Sequence, residues 1–249
     1  MRSAKILFIF LAWMSCEEKA KEPIQVSGLT YRMDSLVEQR CVGANCASLS
    51  LRWPVIEGGE QADRINLMIR ESLESMIQIG EELLPLDSAR KNYFRSFEEF
   101  KAEFPDSHGG WEIEVDAQVT YQSDSTLSIV FPWMSFLGGA HPNHGKSYMN
   151  FDVSTGDYLS SDRLILDEAG LLALAQQKFR QFHHVKEGLS LEEDGRFFLP
   201  ETGFFLANAM GFQDGKFWIV YIPYEIGPYA MGYTELEFSK AELPKMVRW

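Results

Sequence analysis

Basic residues are in deficit. The chain has 23 Lys and Arg against 36 Asp and Glu in 249 residues, a formal charge of −13. Phosphate binding needs clustered Lys and Arg, so the deficit argues against nucleic acid as a partner. It also argues against peripheral attachment to anionic lipid. A cationic partner suits such a charge, and so does simple solubility. Cysteine is scarce, at three residues. No GxSxG, P-loop, HExxH or strand-following GxGxxG is present, so no local spacing points to a nucleophile, a nucleotide or a zinc ion. The many carboxylates locate no acid–base pair. No catalytic residue, metal or cofactor is therefore expected. What is plentiful is apolar: 45% of residues are hydrophobic, enough for a substantial core in one domain or two small ones.

The amino terminus reads as an export signal. Arg2 and Lys5 precede the apolar run Ile6–Met14, then come Ser15 and Cys16. That run is too short to cross a hydrocarbon core of ~30 Å as a permanent helix. Cys16 sits where a bacterial lipoprotein signal places its lipidated cysteine, although Trp13 stands where such signals usually have Leu. Residues 1–15 are expected to be removed and 16–26 to form a polar tether. Removal takes away Arg2 and Lys5 but no acid, so the charge moves from −13 to −15. Export to an oxidising space makes a Cys41–Cys46 disulfide the first expectation for the remaining thiols. A CxxxxC metal pair is the alternative, and nearby residues do not complete its ligand set.

Periodicity predicts an α+β fold, with antiparallel sheets built from hairpins and a few packed helices. Two interlocked halves are expected, 27–150 and 151–249, meeting near residues 138–156. Leu49–Trp53 alternates as a strand, limited by Pro54. Ile65, Met68, Ile69, Leu73, Met76 and Ile77 mark a helix over 60–79, and Phe94, Phe97 and Phe100 a second within 87–103. Residues 111–137 read as a long hairpin turning at 122–125, with one strand over 111–121. Tyr148–Val153 is another strand, and Asp167 caps a helix over 168–184. Strands at 203–210 and 216–222 flank Asp214-Gly215, with a last strand at Glu235–Phe238.

Two stretches are unusual. Gly138-Gly139-Ala140-His141-Pro142-Asn143-His144-Gly145 ends a strand, and two glycines allow sharp reversal. Its readings are a structural loop, a ligand-contacting loop or, more weakly, a metal site. Tyr224-Glu225-Ile226-Gly227-Pro228-Tyr229 follows a strand on a bent path. It is either a structural corner, with Glu225 accepting hydrogen bonds, or an aromatic contact surface. The candidate partner-binding residues are His141, Asn143, His144, Tyr224, Glu225 and Tyr229.

These stretches, with Phe151-Asp152, Thr155-Gly156, Phe204, Asp214-Gly215 and Gly232, resemble the extracytoplasmic domain of RsiV-type anti-sigma factors. That domain also occurs in PdaC-type peptidoglycan deacetylases and in bacterial lipoproteins. The resemblance covers about residues 27–245, with its identifying motifs in the second half. It implies a binding module without the separate catalytic domain of the deacetylases. The partner it implies is a lysozyme-like muramidase or a peptidoglycan fragment. An envelope glycan hydrolase or deacetylase, or a structural envelope lipoprotein, is the alternative. Localisation is expected to be extracytoplasmic, on a bacterial membrane through the lipid anchor alone.

The lipid anchor is directly testable. Cys16→Ala should release the protein from the membrane fraction or leave its precursor uncut, as read by fractionation and by mass of the amino-terminal peptide. Unchanged fractionation with an unchanged mature terminus would show that Cys16 carries no lipid.

Overall fold

A computed structural model describes residues 28–249. The expected signal (1–15), Cys16 and the tether (16–26) lie outside the described residues. Among the described residues the fold is α+β, with two sheets, mostly antiparallel, and five α-helices.

The first sheet begins with a hairpin of β1 (Thr30–Val42) and β2 (Asn45–Glu57). Gly43, at φ +61°, supplies the turn, and Cys41 faces Cys46 directly across it, joined by a disulfide. Ala47, Leu49 and Leu51 of β2 point into the core. The strand runs past Pro54, further than its sequence suggested. The ladder from β2 to its other neighbour covers only Ala47–Arg52, so Pro54 lies beyond the point where a missing N–H would break it. The strand β1 carries no hydrophobic alternation because it turns charge toward the helices. Its Glu38 pairs with Arg90, and the Arg40 guanidinium lies 4.8 Å from the Phe94 ring centroid. Charge on an edge strand also discourages pairing with other chains.

Two helices follow, α1 (Gln61–Met76) and α2 (Leu86–Glu103). They bury Ile65, Ile69, Leu73, Tyr93, Phe94 and Phe97, the stripes that the 3.6-residue period marks. Because they intervene, the next strand, β3 (Trp111–Asp116), returns parallel to β2. This is an exception to the expected antiparallel pairing. The predicted single strand over 111–121 is also broken. Ala117 donates its N–H to Arg52 O at 2.8 Å, the last bond to β2, and the chain resumes as β4 (Gln118–Gln122), with an irregular register between Val119 and Tyr121. Both pieces pair with β5 (Thr126–Phe136), which forms a hairpin with β6 (Asn143–Asp152). The strand β6 starts five residues before the predicted Tyr148. Its polar first half shows no alternation and is a strand because β5 pairs with it, Ser135 opposite Asn143.

The rest of the chain comprises α3 (Ser161–Leu164), α4 (Glu168–Phe182), α5 (Leu191–Asp194) and a second sheet. Asp167 caps α4 by accepting from Gly170 N at 2.9 Å. The second sheet is β7 (Ala209–Gln213), β8 (Lys216–Tyr221) and β9 (Thr234–Phe238), in that order. The strand predicted over 203–210 is displaced to 209–213. Asp214 and Gly215 have φ of +50° and +72°, a tight two-residue turn that places the pairing directly before 214.

Each sheet has its own core. One joins α1 and α2 to the first sheet, and the other gathers Leu171, Ala175 and Phe179 of α4 onto Phe212, Phe217, Ile219 and Phe238. Between them runs a buried polar seam. Asn150 donates to Met210 O at 2.8 Å, Phe212 N donates to Ser128 Oγ at 3.0 Å, and Thr120 Oγ1 donates to Phe212 O at 2.6 Å. Ser128 Oγ in turn donates to Asn150 Oδ1 at 2.8 Å. Gly211 permits this approach, since a Cβ there would lie 2.4 Å from the Tyr148 ring. A few residues away, Arg248 Nη2 donates to Asp152 Oδ2 at 2.6 Å. Burial pushes the Asp152 carboxyl up, but Ser154 and Arg248 outweigh it and hold it below the usual carboxylate range.

Asn150→Ala should cost about 1–3 kcal/mol in urea denaturation, because it leaves Met210 O buried without its donor and deprives Ser128 of its acceptor. A change within measurement error would mean that the seam contributes nothing net.

Candidate binding surface

The tip of the β5–β6 hairpin and the corner after β8 meet. Gly138 and Gly139, at φ +93° and +110°, turn the tip in a backbone region that other residues avoid. At the corner, Glu225 works inward. Its Oε2 accepts from Ile222 N at 3.0 Å, and its Oε1 accepts from Asn208 N at 3.0 Å. The candidate contact residue Glu225 thus closes the corner and ties down the coil before β7. A short 3₁₀ turn, Tyr229–Met231, completes the path.

The candidate side chains come together across this junction. The His141 ring stacks on Tyr229 with centroids 4.0 Å apart, and Tyr229 Oη donates to Pro142 O at 3.0 Å. The His141 Nδ1 also lies 3.0 Å from Pro142 O, which assigns the proton to Nδ1 and leaves Nε2 to accept from Tyr224 Oη at 3.4 Å. His144 packs edge-on against Tyr229, and its Nδ1 lies 2.8 Å from Tyr233 Oη. Asn143 is exposed beside them. Together with Trp133, Ser135, Ile222 and Pro223, several of these residues line a cleft of about 240 Å³.

Tyr224 is 54% exposed and sits at φ +71°, a left-handed conformation that costs an ordinary residue ~1–2 kcal/mol. Residues held in such regions cluster at binding and catalytic sites, where surrounding structure over-determines them. Here the Glu225 carboxylate and the flanking Pro223 supply that constraint.

Trp133 and Tyr233 carried no sequence signal as site residues. Trp133 lies on a strand whose apolar positions suggested core. Its one trace is Gly145, directly opposite on β6, where a Cβ would lie 2.5 Å from the indole. Cys41 and Cys46 are at the β1–β2 turn and do not line the cleft. His183, at the end of α4, is a structural residue. It contacts Thr234 Oγ1 at 2.8 Å, and burial lowers its pKa. Among the described residues no group of three or more His, Cys, Asp or Glu is placed to hold a metal ion. No helix among them is long and apolar enough to cross a membrane.

Comparison with known proteins gives this arrangement a context. Residues 42–144 match the family described as deacetylase PdaC, and residues 165–241 match a protein family of unknown function, DUF3298. The chain thus contains one segment similar to each of these families. One curated relative is the peptidoglycan-N-acetylmuramic acid deacetylase PdaC of Bacillus subtilis (strain 168), 28% identical over 83 residues. The match covers 33% of this chain and 17% of that protein, so most of the relative has no counterpart in the alignment. A DUF3298 family member from Bacteroides fragilis shares the fold with a TM-score of 0.67 at 16% identity, covering 90% of this chain and 96% of that one. Another, from Pseudomonas aeruginosa, gives 0.61 at 18%, covering 88% and 95%.

Tyr224→Gly separates display from support. Relief of the left-handed backbone offsets the added chain entropy of glycine, so stability in urea should stay within about 1 kcal/mol of the parent. A larger loss would show that the ring itself holds the corner together.

Proposed function

We propose that the chain is a lipid-anchored, extracytoplasmic and non-catalytic binding module of the bacterial cell envelope. The observation that carries this reading is the aromatic junction of exposed His141 and Tyr224 with half-buried Tyr229. Two sequence-distant segments, each fixed by Gly and Pro, converge there. Loops held on a rigid sheet are where contact residues concentrate, and Tyr offers large rigid area with a polar tip. The export-type amino terminus supports the location, and the PdaC-type segment fits an envelope-related role. The resemblance to RsiV-type domains supports a lysozyme-like muramidase as partner, and a wall fragment is the other ligand that this reading admits. A cationic muramidase would find favourable long-range attraction in a chain of charge −13.

The test uses the immobilised protein against lysozyme and against purified peptidoglycan sacculi. Tyr229→Ala should weaken binding by about tenfold or more without unfolding the domain, the loss typical of a central aromatic contact. If lysozyme is the ligand, its affinity should also fall as salt rises, because screening shortens the reach of the charge. Binding of neither, or binding indifferent to Tyr229, would refute the reading.

A further inference from the structure

A cleft of about 610 Å³ opens between β1 and α1, and it shares no residue with the one at the aromatic junction. Its floor is β2, where Val55 and Trp53 lie directly opposite Arg32 and Asp34 of β1 and share their face. The far wall is a stripe of α1. Asp63, Asn66, Leu67 and Arg70 recur at three- and four-residue spacing, beside the buried stripe of Ile65, Ile69 and Leu73. Asn66 anchors this wall, because its Nδ2 donates to Ile56 O at 2.7 Å and its Oδ1 accepts from Ile56 N at 2.8 Å. Ile56 pairs with Tyr31. With α1 running back along β2, Asp63 therefore lies toward the Arg32 end of the cleft and Arg70 toward the Asp34 end.

The two walls thus set an acid facing a base at each end, and they do not close on each other. Arg32 turns instead to Asp34 at 3.6 Å and Glu57 at 3.2 Å. Among the described residues Asp63 and Arg70 form no ion pair and no side-chain hydrogen bond, and both are exposed. The Trp53 indole N–H likewise has no acceptor among them. A ligand of one sign would meet a repelling group at one end of the cleft. A ligand carrying both signs, one at each end, satisfies Asp63 and Arg70 together. The apolar floor between them takes an apolar side chain, and the indole N–H offers a donor to a carbonyl.

Spacing sets the length of that ligand. Asp63 and Arg70 are seven residues apart, about 10.5 Å along the helix axis. Three residues of extended chain span about 10 Å. We propose that this cleft binds a short zwitterionic peptide, its carboxylate on Arg70, its ammonium on Asp63 and an apolar central side chain on Trp53 and Val55.

The probe is the tripeptide Ala-Leu-Ala, titrated into the full chain by calorimetry and followed through the Trp53 indole N–H resonance, which Trp53→Phe identifies. The peptide should bind, shift that resonance and lose affinity as salt rises. Amidating its carboxyl end should weaken binding about threefold to tenfold, and so should acetylating its amino end. Arg70→Gln should weaken the free-acid peptide by the same factor yet bind the amidated peptide as the parent does. Asp63→Asn should behave likewise toward the acetylated peptide. Both residues are exposed, so both variants should match the parent in urea denaturation. Leucine alone should bind more weakly than the tripeptide, because one residue does not reach both charges. A tripeptide that does not bind at millimolar concentration overturns the proposal. So does binding that ignores both Arg70→Gln and Asp63→Asn, or leucine that binds as tightly as the tripeptide. None of these results bears on the aromatic junction, whose test is separate.

Discussion

Thr120, Ser128 and Asn150 take the place of a missing strand along the outer edge of β7. That edge presents backbone groups at Met210 and Phe212 that β8 cannot reach, and an open edge is both a desolvation cost and an invitation to aggregate. Side chains from three strands of the first sheet satisfy those groups instead. The two sheets are thereby fixed in register as well as in contact. Apolar packing alone would allow them to slide, since burial is non-directional. Hydrogen bonds to named backbone atoms do not allow it. Gly211 and the buried Tyr148 ring set the separation.

The aromatic junction is a consequence of that registration. His141 belongs to a hairpin of the first sheet, and Tyr224 and Tyr229 to a corner of the second. Their stacking requires the seam to hold the two sheets in one arrangement. Glu225 repeats the same device locally, with a carboxylate standing in for absent backbone partners at Ile222 and Asn208. The left-handed Tyr224 is held by that closure. Strain at the surface is thus offset by satisfied polar groups beneath it.

Much of this was legible in the sequence, and what was not has physical reasons. The helices were readable because Ile65, Ile69, Leu73 and the Phe94–Phe97 pair repeat with the helical period, and the Asp167 cap because its geometry is local. The β7–β8 turn was readable from Asp214-Gly215, although the strand before it was misplaced by its start. The edge strand β1 was hidden because Glu38 and Arg40 face inward to Arg90 and Phe94. The early half of β6 was hidden because pairing with β5, rather than its own residues, makes it a strand. His141, His144, Tyr224 and Tyr229 stood out through the glycines and prolines around them. Trp133 did not, because a tryptophan in an alternating strand looks like core until the Gly145 opposite it is placed. Register between distant strands is a long-range property, and single-residue patterns do not carry it.

The claim that the seam fixes both sheets, and with them the junction, is tested most directly by native-state hydrogen exchange at the Phe212 amide, which donates to Ser128 across the seam. If the sheets are one cooperative unit, this amide should exchange only through global unfolding, with the same opening free energy and denaturant dependence as the buried amide of Ile129. Exchange of Phe212 through a smaller, denaturant-insensitive opening while Ile129 stays protected would show that the sheets part independently, and would contradict the account.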